Sequence, residues 1–255
     1  MSVAEAPVAA AGAVPRLELS AWKDRFGLTA GITTRGPAGD YSLGLWSGTE
    51  PVGRALERWS EFRRAFRPGF TGLVLGRQVH GHDVRWHGAG GQGWILLDDC
   101  DGHATREAGL LLAVSVADCV PVYLAAPVAG AVALLHAGWR GTAAGILEAG
   151  IATLERHAAV SRSAIVIHCG VGICGDCYEV GPEVILNVTG RRVDKPERLD
   201  LRAELAKRAE RAGVSEVTIS PFCTAHDSDR FHSHRASRGA GGRMIAYLGR
   251  AAPAA

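Results

Sequence analysis

Long hydrophobic runs are missing from this 255-residue sequence. No stretch approaches the roughly 18 apolar residues a membrane helix needs, so no membrane partner is expected. A dominant charge is missing too. Lys and Arg number 28 against 26 Asp and Glu, a formal net charge of +2, which leaves no electrostatic footprint for nucleic acid or an anionic surface. The arginine-rich stretch DKPERLDLRAELAKRAERAG (194–213) intersperses acids and reads as a solvated helix face. Repeats and composition breaks are absent, which argues for one domain. The N-terminal MSVAEAPVAAAGAVP lacks the basic start of a secretion signal and carries Glu5 in its apolar run. Residues 1–15 are therefore expected to be a disordered leader, 16–250 the folded domain and 251–255 a tail. Without such a signal, the six cysteines are expected to be reduced and the protein cytoplasmic.

What is present is an ordinary globular composition, 47% hydrophobic and 21% charged. β-like runs occur at 27–35, 71–75, 93–98, 110–116, 120–126, 131–136, 164–170, 216–220 and 243–249. Helical spacing covers 51–66, 142–158, 181–188 and 200–213, the last with Asp200 as N-cap and Gly213 beyond its end. Continuously apolar strands imply sheets covered on both faces. The fold class expected is α+β, one domain of mixed sheets with flanking helices.

Three residues at loop or strand–turn positions share chemistry: His80 in GRQVHGHDV, Cys119 in VADCVPVYL and His136 in LLHAGWRG. If the strands around Cys119 and His136 are neighbours, their ends meet. Two imidazoles and a thiolate would then give Zn²⁺ three ligands and leave one position open. The same residues also fit a cysteine nucleophile with a histidine base, oriented by Asp101 or Asp118, or simple packing positions. No compact zinc motif decides among these readings.

Other features invite chemistry as well. CGVGICGDC (169–177) has the C-x4-C-x2-C spacing of plant-type ferredoxins, with Cys223 as a conceivable fourth ligand, but nothing else in the sequence supports a cluster. The pairs His80/His82 and His232/His234 have a spacing that can hold copper, although exposed loops explain them equally well. Arg140, between Gly138 and Gly141 at a helix start, suits an anion or a structural ion pair, with Arg35 as a second cation. Trp139 reads as a packing anchor. The H-x-E with P-C-x-x-C signature of nucleobase deaminases is absent.

In order along the chain stand RQVHG (77–81), Asp101–Gly102, ADCVPV (117–122), HAGWRG (136–141), GICGDCYEVG (172–181), FCT (222–224) and GGR (241–243). This series resembles the YfiH/YlmD-like family, also called the laccase-domain, multicopper polyphenol oxidoreductase or FAMIN-related family, over about residues 28–249. The resemblance implies a YfiH-like α+β fold. It also implies a zinc-dependent purine nucleoside phosphorylase, acting on adenosine, inosine, guanosine and methylthioadenosine with phosphate, and adenosine deaminase activity. It places His80, Cys119 and His136 as metal ligands and catalytic residues. Arg35, Gln78, Asp101, Arg140, Cys174 and Tyr178 are the substrate-binding candidates. Alternatives within the same resemblance are a Cys/His or zinc hydrolase editing peptidoglycan precursors and, less favoured, a copper-dependent polyphenol oxidase; protein partners are left open. The sequence departs from the family pattern in HCGVGICGDCYEVG, in FHSHRAS and at Gly44, where the family has Asn.

Overall fold

Three apolar runs form the centre of the fold. Leu110–Val116, Val120–Ala126 and Ala131–Ala137 are strands in which every residue except Ser115 is buried. Alternate side chains point to opposite faces, so such strands need cover on both sides. The computed structural model, which describes residues 3–8, 14–46 and 50–253, provides it with two stacked sheets between helices.

The early strands are β1 (Ala6–Pro7), β2 (Arg16–Glu18), β3 (Leu28–Thr33), β4 (Gly72–Gly76), β5 (Val84–His87), β6 (Gly93–Leu97) and β7 (Gly102–Thr105). The central runs are β8, β9 and β10. They are followed by β11 (Val166–Cys169), β12 (Glu179–Val180), β13 (Glu197–Arg198), β14 (Glu216–Ile219) and β15 (Met244–Arg250). Helices are α1 (Ser20–Phe26), α2 (Val52–Phe66), α3 (Trp139–Ala144), α4 (Ile146–Ala158), α5 (Pro182–Thr189) and α6 (Leu201–Arg211).

One sheet has the order β1-β2-β3-β15-β8-β4-β6 and the other β14-β11-β9-β10-β7-β5. Both are mixed: β4 runs parallel to β6 and β8, while β15 is antiparallel to β3 and β8. Leu112, Val114 and Ala246 meet Tyr123, Ala125 and Leu134 between the sheets. Val122, Leu124, Ala133 and Leu135 face outward onto Leu147, Ile151 and Leu154 of α4 and Leu205 of α6. Across the other sheet, Leu75, Leu111 and Ala113 receive Trp59, Phe62 and Phe66 of α2, spaced along one helical face. Each of these large side chains contributes about 1.5–3 kcal/mol by burial. The expected single domain of mixed sheets with flanking helices is what the chain forms.

Two expectations need correction. The helix expected over 142–158 is two helices, because Gly145 takes a left-handed conformation (φ 90°) and its N–H caps α3. The leader is not disordered throughout. Glu5 is buried, its carboxylate accepts from the Ser220 hydroxyl at 2.7 Å and meets His168 Nε2 at 3.2 Å, and β1 pairs with β2. A buried carboxylate needs such partners, and they tie residues 3–8 to the second sheet. Residues 1–2 and 9–13 of that leader lie outside the described residues. Among the described residues no helix is long and apolar enough to cross a membrane.

Candidate metal and substrate site

β9 and β10 pair antiparallel, with Val120 opposite Ala137 and Pro121 opposite His136. This register puts Cys119, one residue before β9, beside His136 near the end of β10. His80 comes from the loop after β4, and its ring lies 4.9 Å from that of His136, centroid to centroid. The ligand atoms of His80, Cys119 and His136 all lie within 4.8 Å of one another.

The loop is held by Asp101, which is fully buried. One carboxylate oxygen accepts from the His80 amide (3.0 Å) and from His136 Nδ1–H (2.8 Å). The other accepts from the amides of Val79 (3.1 Å) and Gly81 (2.8 Å). His80 adopts a left-handed backbone (φ 61°), a conformation that costs about 1–2 kcal/mol outside glycine. The three backbone hydrogen bonds from this loop to Asp101 offset that cost. The glycines of HAGWRG let the turn pack onto this loop: a Cβ at Gly141 would sit 2.7 Å from the Gly81 carbonyl oxygen, and one at Gly138 would sit 3.0 Å from Cys119 Sγ.

The electrostatics suit metal ligation. Burial pushes the Cys119 thiol up, but His136 and His80 pull it down further, to about 6. Burial lowers His136, yet Cys119 and Asp101 raise it to about 9, so the two form a thiolate–imidazolium pair. With Nδ1–H donated to Asp101, His136 can ligate through Nε2 once an incoming ion displaces the proton it shares with Cys119, a carboxylate–histidine arrangement common at metal centres. Two imidazole nitrogens, a thiolate and an open side form a donor set that fits zinc.

The trio lines a cavity of about 550 Å³. Gln78, Arg140 and Tyr178, expected near substrate, also line it. Gln78 is clamped, its amide donating to and accepting from the Ser115 backbone at 2.7 Å each. Arg140 is exposed and stacks over Trp139, 4.4 Å from the ring centroid; Trp139 also packs against the core. The other three expected contacts are not brought together there. Arg35 lines a separate pocket and donates to the carbonyls of Gly39 and Ser228. Asp101 is absent from the cavity lining; both its oxygens are occupied by the His80 loop and His136, which it orients. Cys174 joins a different cluster, with Cys177, Cys223 and His226.

Asp118, the other candidate to orient the histidine, is engaged elsewhere. Its oxygens accept from the Thr224 hydroxyl and, at 2.6 Å, from the Arg235 amide. Among the described residues neither H-x-H pair enters a metal-capable group together: only His80 belongs to one, and His232 Nε2 donates to the Tyr41 carbonyl at 3.0 Å. Arg235 and Arg243 line the cavity and were missed individually. The GGR motif is the signal for Arg243, and Arg235 lies in FHSHRAS, a segment that departs from the family pattern. Of the lining arginines, Arg77 pairs with Asp98 and Asp99. Arg140, Arg235 and Arg243 have no carboxylate partner among the described residues.

Two stacked mixed sheets carry a His–Cys–His cluster that could hold a metal ion and that opens into a cationic cavity with room for an anionic small molecule. A family model described as "multi-copper polyphenol oxidoreductase laccase" matches residues 30–251. The chain belongs to this laccase-like YfiH/YlmD family. It is 35% identical over 254 residues to a protein named purine nucleoside phosphorylase YlmD of Geobacillus stearothermophilus, spanning 88% of this chain and 90% of that protein. It is 37% identical over 153 residues to adenosine deaminase RL5 of an unknown prokaryotic organism, spanning 54% of this chain and 58% of the relative. The crystal structure of YlmD from Geobacillus stearothermophilus superposes with a TM-score of 0.86 at 30% identity, covering 96% of this chain and 99% of that one.

Proposed function

We propose that this protein is a purine nucleoside phosphorylase, with Zn²⁺ held by His80, Cys119 and His136, and that adenosine is among its substrates. The observation that carries this reading is one shared cavity, lined by the three metal-capable side chains and by three arginines that have no carboxylate partner among the described residues. The relative named purine nucleoside phosphorylase YlmD, matched along most of both chains, supports the same reading.

Phosphorolysis forms a bond from a phosphate oxygen to the sugar C1′ as the C1′–N9 bond breaks. The bonding electron pair leaves on the purine nitrogen, which takes up a proton. Arg140, Arg235 and Arg243 bind the phosphate dianion and hold it against a C1′ that gains positive character. Tyr178 and Trp139 border the space where the flat base fits. Asp101 keeps His136 in the tautomer that presents Nε2, and the left-handed turn at His80 holds the second imidazole beside it. His80, Cys119 and His136 would hold the zinc, which when bound would supply Lewis acidity toward the substrate.

Adenosine deamination is a second reading, favoured by that open position and by the relative named adenosine deaminase. A third uses Cys119 as a nucleophile toward another substrate, with His136 as its base. One experiment separates them: adenosine is incubated with and without phosphate, using zinc-loaded, metal-free and Cys119→Ala protein, and the products are resolved by chromatography. Adenine that requires both phosphate and zinc supports the proposal. Inosine without phosphate supports deamination. Activity that survives metal removal but not alkylation points to the nucleophile.

A further inference from the structure

The cluster that takes Cys174 away from the substrate cavity has a composition of its own. Cys174 and Cys177 stand at the two ends of a single 3-10 turn over Gly175–Cys177, a C-x2-C unit. Cys223 and His226 stand three residues apart on a second turn, closed by the Asp227 amide donating to the Cys223 carbonyl (2.9 Å) and the Cys223 amide donating to the Asp227 carboxylate (3.0 Å). The two turns are joined by a bridge between Gly172 and Cys223, with the Thr224 amide donating to the Gly172 carbonyl at 3.2 Å. Two loops 49 residues apart thus present C-x2-C and C-x2-H to a common point.

The four ligand atoms lie within 4.8 Å of one another, and Cys174 Sγ is 3.5 Å from His226 Nδ1. A tetrahedral zinc with bonds of about 2.3 Å sets its sulfurs about 3.8 Å apart, so little closure is needed. A two-iron cluster divides its ligands between two metals and spreads them further, which disfavours the ferredoxin reading of the same cysteines. The Cys174 amide donates to Cys223 Sγ at 3.3 Å. Backbone N–H groups aimed at a thiolate are the outer-shell support a metal-bound cysteine uses.

We propose that Cys174, Cys177, Cys223 and His226 form a second zinc site, of the closed Cys3His structural type, distinct from the His80–Cys119–His136 centre. Four protein ligands leave no open position, so this metal does no chemistry on substrate. Its effect is mechanical. Ile173 and Tyr178, on either side of the C-x2-C turn, line the substrate cavity, and the Thr224 hydroxyl beside Cys223 holds Asp118. A metal joining the two turns fixes this wall of the cavity.

The test is native mass spectrometry and elemental analysis of the full chain purified with zinc. Two zinc ions per wild-type chain are expected, one in Cys119→Ala and one in Cys177→Ser, each variant losing a different ion. His226→Ala, altering an exposed residue, is the companion variant should Cys177→Ser fail to fold, and it too should lose one ion. On unmutated protein, Cys174, Cys177 and Cys223 should resist maleimide until a chelator is added. The proposal is overturned if wild type binds a single zinc that Cys119→Ala abolishes. It is equally overturned if the three thiols react as fast with zinc as without, or if Cys174 and Cys177 are recovered as a disulfide from zinc-loaded protein. Because the two centres are scored by separate variants, failure here leaves the phosphorylase reading untouched.

Discussion

Replacing Asp101 by Asn keeps the volume and one acceptor oxygen of a residue that does not line the cavity. Each carboxylate oxygen accepts two hydrogen bonds, one from the His80 amide and His136 Nδ1–H, the other from the amides of Val79 and Gly81. The amide of Asn must turn its NH2 toward one of these pairs. Turned toward His136, it forces the imidazole into the tautomer that protonates Nε2 and abolishes ligation. Turned the other way, it leaves the Val79 and Gly81 amides without an acceptor. Each buried unpaired donor costs about 1–3 kcal/mol, so the total is about 2–6 kcal/mol. Part of this falls on stability, each kcal/mol lowering Tm by about 2–4 °C in a chain of this size. Part falls on the metal, because outer-shell partners are worth about 10–100-fold in affinity. Competition titration with a chromophoric zinc chelator reads the second effect, the relevant ion being the one absent from Cys119→Ala. An Asp101→Asn protein that binds that zinc within about twofold of wild type would refute the positioning role.

Further perturbations probe the same construction. Gly141→Ala brings a Cβ against the Gly81 carbonyl oxygen and should destabilise by about 1–3 kcal/mol, seen in urea unfolding; an unchanged midpoint would mean the loop has room to give. In metal-free protein, alkylation of Cys119 should rise through a midpoint near pH 6, because ionisation produces the reactive thiolate there. A midpoint near 9.0, the usual value of a thiol, would remove the thiolate–imidazolium pair. Burial, then the neighbouring His87, lowers His103 to about 3, against about 6.5 in the unfolded chain. Its contribution to stability is therefore complete above about pH 6.5 and is lost as the pH falls toward 3, by up to about 1.4 kcal/mol per pH unit. His103→Gln should flatten that slope in urea melts between about pH 7 and pH 5, and an unchanged slope would exclude His103 as its source.

The parts of the fold legible in the sequence are those where burial is periodic. The runs at 110–116, 120–126 and 131–136 carry enough apolar residues to announce strands, and Asp200 does cap α6, accepting from the amides of Arg202 and Ala203. Cys119 and His136 were legible because both stand at ends of consecutive strands, which often pair. Short elements such as β5 and β7 were hidden by their length and by polar residues in VRWH and GHAT. Glu5 looked like one acid in a featureless leader, since its partners His168 and Ser220 lie more than 160 residues away. Asp101 was recognised as an orienting residue, but also counted among substrate contacts, because an aspartate in a turn looks the same whether it faces solvent or anchors a loop. The spacing around Cys174 and Cys177 was visible; what it lacked was His226, which only the folded chain brings beside them.

The most direct test of the central claim follows the sugar product. Adenosine and inorganic phosphate are incubated with zinc-loaded protein and monitored by phosphorus NMR, with Cys119→Ala in parallel. One equivalent of ribose 1-phosphate per adenine released, absent in the variant, is the expected result. Adenine accompanied by free ribose, or ribose 1-phosphate formed equally by Cys119→Ala, would contradict phosphorolysis at the His80–Cys119–His136 centre.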